Sequence, residues 1–184
     1  DQKLIVIFLV KADSEIKFEK LGARFYDFLK KNEINDIYVN TPKFNFPKNK
    51  NLSLFNSFIH GAELKSYEFN LYKTDKKNNK INLIINKKDI PEKSRKLDAI
   101  LNGVNFTRDL VSEPGNILHP DEYAKRLLQL KKIGLKVNVY DEKKLKSMGC
   151  NALLGVGQGS IRGSYLVTME WNGDKSKNKP LAFV

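Results

Sequence analysis

The segment from Glu92 to Val111 constrains this chain more than any other. Leu97, Ile100, Leu101, Val104, Leu110 and Val111 recur there at spacings of three and four, the period of an amphipathic helix. Pro91 suits the first helical position, where its missing N–H costs nothing. At the far end Glu113-Pro114-Gly115-Asn116 stops the helix, because Pro114 disfavours a helical conformation at the residue before it. A helix of this length in the middle of 184 residues reads as a connector between two folded parts.

The flanking segments alternate strand and helix. Leu4 to Val10 is a continuous aliphatic run, the pattern of a strand buried on both faces. Phe18 to Lys31 places Leu21, Phe25, Phe28 and Leu29 at helical spacing, Asp36 to Val39 is a short strand, and Thr41 to Lys50 is a Pro- and Asn-containing surface loop. Leu52 to Leu64 puts Phe55, Phe58, Ile59 and Ala62 on one helical face. Tyr67, Phe69 and Leu71 then alternate like a strand, Lys76 to Lys80 is turn-like, and Ile81 to Ile85 is another apolar strand. Past the connector, Pro120 to Lys132 is a helix closed by Gly134, and Leu135 to Tyr140 is a strand. Asp141 caps a short helix that Gly149 closes. The glycine-rich Gly155 to Gly163 reads as a tight loop, followed by a strand from Tyr165 to Trp171, a turn at Asn172-Gly173 and a last strand from Leu181 to Val184. The order defines an α/β fold: a mixed-sheet domain over residues 1–90, the connecting helix and turn over 91–116, and the beginning of a second α/β domain over 117–184.

Composition narrows the function classes. The chain is 41% hydrophobic and 29% charged, which is ordinary for a folded protein and too apolar for wholesale disorder. The lone Cys150 excludes an intrachain disulfide and a cysteine-based zinc cluster, and points to a reducing, cytoplasmic setting. Leu4 to Val10 spans seven residues, against about 20 for a membrane helix, so no membrane partner is expected. Lys and Arg total 33 against 21 for Asp and Glu, a formal charge of +12. That field attracts nucleic acid, and the densest stretch is Lys73 to Lys96, but Asp75, Asp89 and Glu92 interrupt it. The excess is nearly all Lys, spread as a solvated surface rather than gathered as an Arg-containing patch.

Each candidate site has a structural reading beside its chemical one. His60 lies in a helix beside Gly61 and reads as packing; His119 precedes Pro120 and reads as a helix cap. Neither has carboxylates or cysteines at metal-ligand spacing. Gly155-Val156-Gly157-Gln158-Gly159-Ser160 lacks the third glycine and the following helix of a dinucleotide fingerprint. Ser160 is not framed as a nucleophile elbow. The carboxylate pairs Asp109 with Glu113, and Asp121 with Glu122, stand at helix ends, where they are expected to cap or face water.

The run Asn105-Phe106-Thr107-Arg108-Asp109-Leu110-Val111-Ser112-Glu113-Pro114-Gly115-Asn116, with Leu118, Pro120 and Tyr123-Ala124 after it, resembles the M17 leucyl aminopeptidase family. Met148-Gly149 and Leu153-Leu154-Gly155-Val156-Gly157-Gln158-Gly159-Ser160 resemble the segment that follows in the same family, and Phe58 to Tyr72 is more loosely similar to its helix-to-strand unit. The resemblance is specific from about residue 97 to 184. It departs at His119, where threonine is frequent, and at Gly163 and Ser164, where prolines are common.

The resemblance implies an α/β amino-terminal domain, a long connecting helix, and a peptidase domain whose two divalent metal ions (manganese or zinc, alternatively magnesium) serve hydrolysis of the first peptide bond of substrates with a free amino terminus. It further implies a homohexamer. The family's metal ligands and catalytic residues follow the strand represented by Leu181 to Val184, so no catalytic, cofactor-binding or metal-binding residue is assigned within the chain. The 184-residue chain alone is accordingly expected to be inactive and to bind no metal. Its parent reading frame is expected to continue for roughly 300 residues. The rival expectation is a basic nucleic-acid-binding or assembly module without peptidase activity, supported by the net charge.

Overall fold

A computed structural model describes residues 14–39, 48–74, 81–85, 95–173 and 179–184. The strand expected at Leu4 to Val10, the turn at Lys76 to Lys80 and the helix start at Pro91 lie outside them, as does most of the Lys73 to Lys96 stretch. The chain divides into two compact units, Asp1–Val111 and Ser112–Val184.

The first unit is organised by two helices, α1 (Glu15–Lys31) and α2 (Lys48–Lys65). In α1 the buried stripe is Phe18, Gly22, Phe25, Tyr26 and Leu29, spaced to share one face. Phe28, expected on that face, is partly exposed. From α2, Leu54, Phe55, Ile59 and Ala62 are buried against it, with the Phe25 and Phe58 rings tilted at 38° and their centroids 5.3 Å apart. The helices approach until backbone meets backbone: a methyl group at Gly22 would overlap the Phe58 carbonyl, and one at Gly61 would overlap the Glu19 carbonyl. Two hydrogen side chains at the crossing allow this contact and the dense packing around it. Helix α2 begins at Lys48, a turn earlier than the Pro- and Asn-containing loop suggested, so Lys48 to Lys50 are helical rather than loop.

Strands β1 (Asp36–Val39) and β2 (Asn82–Ile85) pair in parallel with Asp36 opposite Asn82, and α2 lies between them in sequence, as a parallel crossover requires. Tyr67 to Lys73 is not a strand. Its side chains are drawn off individually: the Tyr67 hydroxyl donates to Asp109 Oδ1 at 2.9 Å, Glu68 pairs with Lys30, and the Phe69 ring meets Tyr72 edge-on. The backbone then turns, with Lys73 N–H donating to Asn70 C=O. Alternation supplied apolar residues, but no ladder neighbour forms among the described residues. Helix α3 (Arg95–Ser112) falls on the expected amphipathic helical segment; Leu110 is its one buried residue, while Val111 is exposed.

In the second unit, α4 (Pro120–Leu128) runs into a 3-10 turn, Gln129–Ile133, which Gly134 closes with φ 98°. Strand β3 (Lys136–Tyr140) follows, then α5 (Glu142–Ser147), α6 (Asn151–Gly157) and β4 (Leu166–Glu170), which pairs antiparallel with β3. Asp141 caps α5 by accepting from Lys144 N–H at 2.9 Å, and Gly149 ends it with φ 76°. The small core holds Ala124, Leu127, Val137 and Leu145.

Two expectations fail in this unit. Gly155 to Gly157 belong to α6 rather than to a loop, and only from Gln158 does the chain leave the helix. Glycine weakens a helix by about 1 kcal/mol relative to alanine, so the composition misled. Leu181 to Val184 form no strand: among the described residues they find no ladder partner, and Leu181 and Phe183 are almost wholly exposed.

Candidate functional site

The polar residues that could carry chemistry sit at the turn between α3 and α4 and on the first turns of α4. Pro114 C=O accepts from both Ile117 and Leu118 N–H at 2.9 Å, which folds Glu113-Pro114-Gly115-Asn116 into a compact turn ahead of α4. Arg126, in the last turn of α4, reaches back across it. Its Nη1 donates to Glu113 Oε1 at 2.7 Å, and its Nε donates to Glu122 Oε1 at 3.1 Å. The Glu113 side chain is only 2% exposed. The expected solvated carboxylate is therefore a buried ion-pair partner, because a cation 13 positions away supplies what water would. Hydrogen bonding from Arg126 holds the Glu122 carboxyl below the ordinary carboxylate range, and Glu113 raises the affinity of Arg126 for its proton.

A second cluster lies on the same turn. His119 is the N-cap residue of α4 by backbone conformation, but its side chain makes no capping bond; Nδ1 pairs with Asp121 instead. The other Asp121 oxygen faces Arg162 Nη1 at 3.6 Å, and Arg162 N–H donates to Ser160 Oγ. Burial works against ionisation of Asp121, yet its own backbone N–H, His119 and Arg162 together hold its carboxyl below the usual value. Ser160 is thus a backbone-bracing hydroxyl in a loop, and Asp121 an anchored anion.

In the first unit, Arg108 Nη1 donates to Leu64 C=O at 2.6 Å, satisfying a carbonyl at the end of α2, and its guanidinium lies 5.3 Å over the Tyr67 ring. Asp109 holds the Tyr67 hydroxyl. His60 is buried in α2 with no hydrogen-bond partner at Nδ1. His60 lies in one unit and His119 in the other.

In these clusters the charged side chains hold backbone groups and one another. Glu113, Asp121 and Glu122 are each committed to a cation, and no group of three or more His, Cys, Asp or Glu side chains among the described residues could hold a metal ion. Those residues do not fit the two divalent ions that the resemblance implies. Of the arginines that organise the three clusters, sequence reasoning did not single out Arg126 or Arg162, and it named Arg108 only within the run that resembles the family. Only the Glu122–Arg126 spacing of four on one helix could have flagged any of them.

Comparison with known proteins gives these clusters a context. Residues 105–184 match the model for the catalytic domain of the cytosol aminopeptidase family, M17. A probable cytosol aminopeptidase of Phytoplasma mali is 45% identical over 138 residues, covering 70% of this chain and 28% of that protein. One from Agrobacterium fabrum is 43% identical over 136 residues, covering 69% and 27%. Among solved structures, a mutant of tomato leucine aminopeptidase superposes with a TM-score of 0.70 at 22% identity, over 86% of this chain and 34% of that one. The bottromycin maturation enzyme BotP in complex with Mn gives 0.65 at 20% identity, over 85% and 33%. The fold is that of the aminopeptidase class of α/β proteins. The chain belongs to the M17, or cytosol aminopeptidase, family. It spans somewhat more than a quarter of the length of the curated relatives it matches.

Proposed function

We propose that the whole protein is a leucyl-type metallo-aminopeptidase, removing amino-terminal residues from peptides with a free amino terminus, and that residues 1–184 are a non-catalytic part of it. The observation that carries this reading is the match of residues 105–184 to the family's catalytic domain, with 45% identity to a relative over 138 residues. In this reading residues 1–90 are an accessory α/β domain, 91–116 the connector and 117–184 the first part of the peptidase domain. The Glu113–Arg126 pair then serves to fix the turn on which that domain begins. Two divalent ions, manganese or zinc with magnesium as a further option, are held in this reading by residues other than those described, among which no group of three or more metal-ligating side chains gathers and Glu113, Asp121 and Glu122 each face a cation. The cytosolic naming of the relatives supports a cytoplasmic home, and no helix among the described residues is long and apolar enough to cross a membrane. A homohexamer of the whole protein belongs to the same proposal.

The test is to load the whole protein with manganese and assay it against leucyl-p-nitroanilide. Chelator-sensitive release of nitroaniline is expected, and its absence would sink the reading. Calorimetry on residues 1–184 alone should show no stoichiometric uptake of manganese or zinc; tight binding of two ions would mean the ligands are misplaced. The rival nucleic-acid reading rests on net charge; among the described residues Lys30, Lys65, Lys125, Arg126, Lys136 and Arg162 each face a carboxylate.

A further inference from the structure

The sequence contains two Asn–Gly dipeptides, Asn102–Gly103 and Asn172–Gly173, and the fold treats them in opposite ways. Asparagine before glycine readily loses its side-chain amide, because glycine has no Cβ to hinder attack of its backbone nitrogen on the asparagine Cγ. Both pairs are exposed, so access to water does not separate them. Backbone conformation does. Asn102 and Gly103 lie inside α3, where each N–H is bonded to the carbonyl four residues before it and the helical dihedrals hold that nitrogen away from the side chain. Asn172 and Gly173 follow the end of β4 at Glu170 and belong to neither helix nor strand. Asn172 Nδ2 donates to Glu170 Oε1 at 3.1 Å, a solvent-exposed bond that water can replace. A Cβ added at Gly173 would lie 2.3 Å from the Trp171 indole nitrogen, so a bulkier, protecting residue cannot stand there unless Trp171 moves.

We propose that Asn172 is a site of spontaneous modification, converting to aspartate and isoaspartate in the folded protein while Asn102 stays intact. The Gly173 amide nitrogen attacks Asn172 Cγ. As the N–Cγ bond forms, the Cγ–Nδ2 bond breaks, and Nδ2 leaves as ammonia with the proton that the Gly173 nitrogen gives up. Water then opens the cyclic succinimide. Addition at Cγ breaks the new N–Cγ bond and yields aspartate; addition at the Asn172 backbone carbonyl carbon breaks the original peptide C–N bond and yields isoaspartate, with the main chain routed through Cβ and Cγ. One ammonia is lost and one water is taken up, so no oxidant or reductant is required. Either product exchanges a donor to Glu170 for a second carboxylate beside it, where like charges repel, next to the Lys136–Glu170 pair that ends the β3–β4 ladder. The proposal does not depend on peptidase activity.

The experiment holds the whole protein at mildly alkaline pH, one portion folded and one in urea, and follows its tryptic peptides by mass spectrometry over time. Cleavage after Arg162 and Lys175 leaves Asn172 as the sole side-chain amide of residues 163–175, and cleavage after Lys96 and Arg108 places Asn102 in residues 97–108, where fragmentation tells it from Asn105. In the folded protein Asn172 should gain the mass of amide-to-acid exchange about tenfold faster than Asn102 or more, since Asn102 reacts only when α3 opens locally. The product should elute as two isomers, aspartate and isoaspartate. In urea, where α3 is gone, the two rates should converge. Comparable rates in the folded protein, or a faster Asn102, overturn the proposal. Rates that stay apart in urea would assign the difference to neighbouring sequence rather than to the fold, and overturn it as well. Asn172→Gln should abolish conversion in residues 163–175 on the same timescale, and conversion at an undiminished rate would also refute the assignment.

Discussion

Arg126 Nη1 lies 2.7 Å from Glu113 Oε1, joining α4 to the residue that precedes Pro114. The carboxylate is nearly without solvent while the guanidinium keeps about a quarter of its exposure, so the arginine is the means by which a charge is tolerated there. The same guanidinium also engages Glu122, one helical turn before it. The pair thereby ties the turn and the helix into one object.

Removing the cation should therefore cost more than removing a surface contact. Arg126→Ala is expected to lower stability by about 3 kcal/mol, the scale for stranding one partner of a buried pair. The double change Glu113→Leu with Arg126→Met should recover most of the loss, because no unpaired charge remains. Urea unfolding followed by Trp171, the single tryptophan and a residue of the same compact unit, provides the measurement. A loss under about 0.5 kcal/mol for Arg126→Ala would show the pair to be an ordinary surface one.

The helix crossing of the first unit gives a prediction of opposite sign to propensity. Alanine is better than glycine in a helix by about 1 kcal/mol, yet Gly22→Ala and Gly61→Ala must push α1 and α2 apart, at about 1–3 kcal/mol each for overpacking. Net destabilisation is expected at both positions, read as a lower midpoint in far-UV circular dichroism. A more stable Gly61→Ala would mean the helices do not cross there.

Acid should loosen the second unit through Glu122. Arg126 lowers the carboxyl pKa of Glu122 in the folded state below its ordinary value of 4.5, so the unfolded chain takes up the proton first as pH falls. The contribution is fully present above that ordinary value and is lost as pH drops through the lower, folded one. Melting temperatures between pH 7 and pH 3 should fall below about pH 4.5. Glu122→Gln should flatten that fall, and an unaltered profile would remove Glu122 from the acid response.

Helix α5 offers a local test. Asp141→Ala should cost about 1 kcal/mol by leaving the Lys144 amide without its acceptor, whereas Asp141→Asn should cost only a few tenths. Equal effects from the two changes would mean that the side chain acts through its charge rather than as an acceptor.

Much of the fold was legible because its signals are local. Apolar spacing located α1, α2, α3 and α4; the aliphatic runs located β1 and β2; Asp141 and Gly149 marked both ends of α5. The misreadings share a cause. Alternation at Tyr67, Phe69 and Leu71 states which residues are apolar but not whether another strand stands alongside, and the same holds for Leu181 to Val184. Glycines at 155 and 157 argued for a loop where tertiary context made a helix. Of the polar clusters, only the Glu122–Arg126 spacing could be read from the chain. Glu113 with Arg126, and Arg108 with the Leu64 carbonyl, join residues 13 and 44 positions apart, and no local pattern specifies such partners.

The contact between α1 and α2 also decides how this sequence can change over generations. The sequence carries 33 cationic residues against 21 anionic ones, a balance that solvated positions tolerate. Gly22 and Gly61 have no such tolerance. Every replacement at either position inserts atoms where a neighbouring carbonyl already is, so even the most conservative step is a structural lesion. Two sites with no side chain and no reactive group are thus among the least replaceable in the unit.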